Sequence, residues 1–127
     1  MSEPVKKTLN DWRDAVHANA AAHGWWVKVN DTVPSKLLLV HSEISEAAEE
    51  LRKARPCPHG AADADYDDLR KIERWEGKPE GFAVELADAL IRILDICGRL
   101  GIDIESVVQM KHEFNVSRPV RHGGKLV

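Results

Sequence analysis

Apolar residues recur at three- and four-residue intervals in four stretches of the chain, and no stretch sustains the alternation that marks a strand. The pattern predicts an all-α protein of four helices. The first starts at Thr8, where Thr-Leu-Asn-Asp places Asp11 to support the cap, and stops at His23-Gly24. The second begins near Pro34, after Asp31 and Thr32, with Leu37, Val40, Ile44, Ala48 and Leu51 as its expected core stripe. The third, Phe82 to Leu100, is apolar or small around well over half its circumference and should be the most buried. Gly101 ends it. Asp103 caps a fourth helix carrying Ile104, Val107, Val108, Met110 and Phe114, and Pro119 forbids its continuation.

Between the second and third helices, at about 55–81, the composition shifts to Pro, Gly and Asp. A polar segment within it, Ala61 to Trp75, is expected to form a short surface helix. We read 55–81 as an insertion or lid on a single domain spanning 1–127, with a basic tail at 118–127.

The 127 residues suit one domain, and 43% hydrophobic content supports a modest core of the kind that helical proteins often complete by pairing. A net charge of -3 with both signs well mixed gives no reason to expect a nucleic-acid or membrane surface. The stretch Met1 to Leu9 is polar, with no apolar run after Lys6 and Lys7, so a cytoplasmic location is expected. Cys97 reads as a core residue and Cys57 as a loop residue. The Cys57-Pro58-His59 run offers too few ligands for a structural zinc site.

The chemistry lies in the carboxylates. Glu43, Glu46 and Glu50 recur at three- and four-residue spacing, one stripe on the second helix, which we expect to lie away from Val40 and Ile44. On the third helix Glu85 and Asp88 share a narrow polar strip with Arg92, Asp95 and Arg99. Taken alone, a Glu-x-x-Glu pair is the ordinary solvated face of a helix. Two pairs on neighbouring antiparallel helices would face one cleft, where repulsion among four carboxylates calls for a compensating cation. Hard oxygen ligands without a Cys or His cluster favour magnesium, with manganese as the alternative, and magnesium shares its remaining ligands with substrate phosphates. There is no Gly-rich Walker loop.

The run His41-Ser42-Glu43-Ile44-Ser45-Glu46-Ala47-Ala48-Glu49-Glu50, followed by Val84-Glu85-Leu86-Ala87-Asp88-Ala89-Leu90, resembles the MazG family of all-α nucleotide pyrophosphohydrolases. The resemblance covers roughly Leu37 to Arg121 and extends weakly to the first helix. It implies a four-helix bundle-like MazG fold completed as a homodimer or homotetramer. It also implies magnesium held by Glu43, Glu46, Glu85 and Asp88, and cleavage of a nucleoside triphosphate to monophosphate and pyrophosphate. Glu46 is then the preferred proton acceptor. Lys111, Asn115 and Arg118 are similar to the ending that contacts phosphates and sugar in the family. His17 and Trp25 or Trp26 match the region that holds base and sugar, with Trp26 the preferred stacking residue. The gap from Glu46 to Glu85 exceeds the family's usual spacing and opens the question of whether the segment around Trp75 reads a base or occludes the cleft.

Each substrate residue has a plainer reading. His17, Trp12 and the tryptophan pair could pack the helix interface, and Lys111 and Arg118 could be solvated helix-end cations. Two other functions fit the same residues: hydrolysis of phosphoribosyl-ATP, and a non-catalytic helical interaction module that docks its acidic face on a basic partner.

Overall fold

The computed structural model describes residues 3–58 and 63–119 and is mostly helical. Four long helices, α1 Leu9–Ala22, α2 Val33–Lys53, α4 Phe82–Leu100 and α5 Ile104–Ser117, match the four expected stretches. Their ends follow the local chemistry. Thr8 accepts the Asp11 N–H while the Asp11 carboxylate accepts the Thr8 N–H at 2.9 Å, and Thr32 forms the same reciprocal cap with Ser35. Gly101 closes α4 in the left-handed conformation, and Asp103 accepts the Ser106 N–H at 3.2 Å to open α5.

Helix α4 is the centre, packed on one side by α2 and on another by α1. It supplies most of the buried residues: Ala89, Leu94, Asp95, Ile96 and Cys97. Burial also pushes the Cys97 thiol pKa up, as expected for a core cysteine, and Cys57 is a half-buried loop residue. The approach of α1 is close because position 98 is glycine, where a Cβ would stand 2.4 Å from that of His17.

Two expectations are corrected. The stripe of Leu37, Val40, Ile44, Ala48 and Leu51 is not the buried face of α2: Leu37 and Ile44 are each 50% exposed, Ala48 and Leu51 are exposed, and Val40 is half-buried. The inward face carries Lys36, Glu43, Ala47 and Glu50, so the acidic stripe lies beside Val40 on the side that meets α4. Periodicity finds the apolar face of a helix, but the neighbour decides which face is covered, and α4 presents α2 with a polar strip.

The surface helix expected over Ala61 to Trp75 is also shorter and more varied. Within the described part of that segment, α3 spans only Tyr66–Arg70, opened by the Asp65 cap. An antiparallel ribbon follows, β1 Glu73–Trp75 and β2 Lys78–Glu80. Three-residue strands rich in charge carry too little alternation to be read from a pattern. Arg55 ties this segment together through Asp65 at 3.0 Å and Asp68 at 3.7 Å, and α3 and β2 lie against α4.

Helix α5 is held at its beginning. Asn10 donates its backbone N–H to Glu105 at 2.7 Å and its amide to Asp103 at 2.8 Å, while the Glu105 N–H donates back to the Asn10 side chain at 3.3 Å. Beyond that clamp Val107, Val108, Met110, Phe114 and Val116 are exposed. Of the basic tail, Arg118 and Pro119 are described; residues 120–127, with Arg121, His122 and Lys125, lie outside the described residues, as does His59. Among the described residues no helix is long and apolar enough to cross a membrane.

Candidate metal centre

Where α2 crosses α4, the carboxylates of Glu43, Glu85 and Asp88 each bring an oxygen within 4.8 Å of the others. Glu85 and Asp88 share a face because they are three residues apart on α4. Glu43 meets them from the inward face of α2, one turn before buried Ala47, whose small side chain suits close helix packing. Arg92, one turn beyond Asp88, donates its Nε–H to Glu43 at 2.7 Å, and its guanidinium lies 5.5 Å from the centroid of the Trp25 ring.

One arginine does not neutralise three carboxylates. The Glu85 Oε2 atom is buried without a hydrogen-bond partner. Burial, then the charges of Glu46 and Asp88, push the Glu85 pKa up to about 7. Asp88 is also raised, first by burial and then by Glu43, against the opposing pull of Arg92 and Lys78. Glu46 is exposed and outside the close trio, yet near enough for its charge to act on both carboxyls. Of the four predicted metal ligands, three therefore converge and Glu46 stands at their rim. Glu50 completes the acidic stripe but is paired with Lys53 at 3.4 Å.

A buried carboxylate oxygen with no donor is costly, and a cation or a proton relieves it. The donor set is oxygen only, the chemistry that suits magnesium or manganese. On both counts the residues fit a hard divalent cation held by Glu43, Glu85 and Asp88.

Seven residues after Asp88 on the same helix, Asp95 is 2% exposed and fully engaged. It accepts the His17 Nδ1–H at 2.8 Å and the Trp26 Nε1–H at 3.0 and 3.1 Å. His17 and Trp26 are thus brought together, ring centroids 6.2 Å apart, around a structural carboxylate. Lys36 and Arg99 each place their charge 5.1 Å from the Trp26 ring centroid, so the indole is already engaged in cation–π contacts. Lys36 itself is buried and paired with Asp31 at 3.5 Å.

Lys111, Asn115 and Arg118 sit on or just beyond the far half of α5, where Lys111 and Arg118 lie 4.9 and 5.6 Å from the Phe114 ring centroid. Among the described residues no hydrogen bond or ion pair joins the three to the acidic trio. Sequence reading missed two features. The Arg92–Glu43 pair was half-visible, since Arg92 is four residues from Asp88 on the polar strip. The approach of Lys78 to Asp88 depends on the ribbon and left no local signal. Comparison of the chain with family models, with curated proteins and with solved structures finds no match.

Proposed function

We propose that the chain is a magnesium-dependent nucleotide pyrophosphohydrolase cleaving nucleoside or deoxynucleoside triphosphates to monophosphate and pyrophosphate. The observation that carries the reading is the meeting of Glu43, Glu85 and Asp88 around a buried, unpartnered carboxylate oxygen. Together with Glu46 at their rim, these residues make up the paired Glu-x-x-Glu and Glu-x-x-Asp signature by which the sequence resembles the MazG family.

Bound by these carboxylates, magnesium supplies charge neutralisation for phosphate oxygens and acidifies a water. The protein's own part is positioning and proton transfer. Arg92 holds Glu43 in place through their 2.7 Å ion pair. Glu46, exposed at the rim, accepts a proton from the water that attacks the α-phosphorus, and pyrophosphate leaves. His17 and Trp26 border the nucleoside, anchored by Asp95. Lys111, Asn115 and Arg118 contact the phosphates and sugar.

We further propose a homodimer or homotetramer working in the cytoplasm. The supporting observation is the apolar surface left outward on three helices: Leu37 and Ile44 on α2, Leu86 and Leu90 on α4, Met110 and Phe114 on α5. A second copy covering that surface also offers a route for α5 cations that do not reach the trio within one chain.

The deciding experiment is pyrophosphate release from a panel of ribo- and deoxyribonucleoside triphosphates, with and without magnesium, with Glu46→Gln as the blank. Magnesium-dependent release by the wild type alone supports the reading. Absence of release from every triphosphate overturns it. Release from phosphoribosyl-ATP instead would move the assignment to that substrate.

A further inference from the structure

We propose that Arg92 grips phosphate at the carboxylate site, its guanidinium set in place by Glu43 and Trp25 to hold two oxygens of a metal-bound phosphate. The inference rests on the nucleotide-hydrolysis reading and adds a substrate contact that the acidic signature does not include.

The setting begins in the run His23-Gly24-Trp25. Gly24, with φ at 78°, turns the chain at the end of α1. The backbone N–H groups of Gly24 and Trp25 donate to the carbonyls of Ala21 and Ala20, each at 3.1 Å. This paired closure of a glycine-ended helix fixes the Trp25 backbone against α1. The Arg92 guanidinium carbon stands 5.5 Å from the centroid of the Trp25 ring, a cation–π contact. From α2 comes the second constraint, the Glu43 carboxylate, which accepts the Arg92 Nε–H at 2.7 Å. The end of α1, the inward face of α2 and the polar strip of α4 together determine where this guanidinium lies.

Its outer fork is uncommitted. A planar guanidinium with Nε engaged still carries the N–H groups of Nη1 and Nη2, an end-on pair spaced for two oxygens of a phosphate. Among the described residues no hydrogen bond uses either nitrogen of Arg92, although its side chain is only 25% exposed. Arg13 is the informative contrast. Covered to a similar degree, at 18% exposed, it gives Nε to Asp14 and Nη1 to the Ile102 carbonyl. Covered donors are normally spent within the fold, as those of Arg13 are, and the Arg92 fork departs from that habit at the edge of the metal centre.

The place of the fork matters as much as its freedom. Glu43 is at once a ligand of the trio, within 4.8 Å of oxygens of Glu85 and Asp88, and the partner of Arg92. A phosphate sharing the cation with Glu43 is therefore a direct neighbour of the guanidinium. Among the described residues Arg92 is also the one basic side chain joined to the trio by a hydrogen bond or ion pair, whereas Lys111 and Arg118 lie beside Phe114 on α5. Charge on a transferring phosphoryl group calls for cationic donors at that place, and Arg92 supplies them within a single chain.

The test is calorimetric titration of the full chain, first with manganese alone, then in magnesium with two phosphate probes: inorganic triphosphate, and a deoxynucleoside triphosphate bearing an α,β-methylene bridge. Arg92→Ala is expected to weaken both phosphate probes about tenfold or more. Manganese alone should bind this variant as well as the wild type or more tightly, because Arg92 competes with the ion for Glu43. Arg92→Lys, which keeps the charge and loses the fork, should recover only part of the phosphate affinity, and it carries the test if the alanine variant folds poorly. Wild-type affinity for both phosphate probes in Arg92→Ala, or in Arg92→Lys should the alanine variant unfold, would overturn the grip while leaving the hydrolase reading intact. Parallel losses of manganese and phosphate affinity would confine Arg92 to holding Glu43, which also overturns the grip. A wild type that binds neither phosphate probe would overturn the hydrolase reading and the grip together.

Discussion

Two carboxylate sites lie about two turns apart on α4, and they are opposites. At the N-terminal end Glu85 and Asp88 face Glu43, with one arginine among them and a buried oxygen left without a donor. At the C-terminal end Asp95 is more deeply buried yet satisfied by the imidazole of His17 and the indole of Trp26. The same helix thus uses an acidic side chain in one place to tie three elements together and in another leaves a buried carboxyl oxygen without a partner. Burial alone does not distinguish the two sites; what differs is whether the buried oxygen has a hydrogen-bond partner.

The sharpest way to separate the two sites is to neutralise each. Asp88→Asn should lower magnesium-dependent pyrophosphate release by roughly 100- to 1000-fold, with an unchanged far-ultraviolet circular dichroism spectrum. Asp95→Ala should do the reverse in kind, costing about 3 kcal/mol in a urea melt because it strands two half-buried donors. Retained stability in the Asp95 variant, or retained turnover in the Asp88 variant, would erase the distinction between the sites.

A smaller effect tests the support beneath the satisfied site. Gly98→Ala would place a methyl group 2.4 Å from the His17 Cβ and 3.2 Å from the Arg13 carbonyl oxygen. We expect a loss of about 2 kcal/mol in the same melt as α1 is pushed from α4.

The smallest effect is in pH. Glu85 has a folded-state pKa of about 7 against an ordinary 4.5. Between those values the folded chain holds more of this proton than the unfolded chain, so this contribution to stability is complete below pH 4.5 and declines as pH rises through 7. Without metal, melts should show a loss of about 1 kcal/mol from this group between pH 5 and 8, after allowance for partial solvent screening. Glu85→Gln should flatten that slope, and magnesium should offset it most at high pH. A slope unaltered by Glu85→Gln would mean that the unpartnered oxygen does not govern this behaviour.

What could be read from the sequence was what short-range chemistry decides. The caps at Thr8 and Asp103, the start of α2 near Pro34 and the stop at Gly101 follow from residues within a turn of one another. The bounds of α4 and the spacing of Glu85 and Asp88 were legible for the same reason. The inward face of α2 was not, because an amphipathic pattern names the apolar side of a helix and says nothing of whether Glu43 or Ile44 meets the neighbour. Nor was the sharing of Asp95 by His17 and Trp26, which are 78 and 69 residues away from it along the chain. The ribbon was hidden for a third reason: its register comes from Glu76 and Gly77, while its strands are too short for periodicity to emerge.

The clamp between Asn10 and the start of α5 makes that helix a lever with its fulcrum at one end. Arg118 lies 13 positions beyond Glu105, about 20 Å along the axis at the helical rise. Tilting the lever by about 10° would carry Arg118 through roughly 3 Å, the length of a hydrogen bond, and Lys111 through less than half of that. A small rotation at the fulcrum is therefore amplified most where the terminal cation sits.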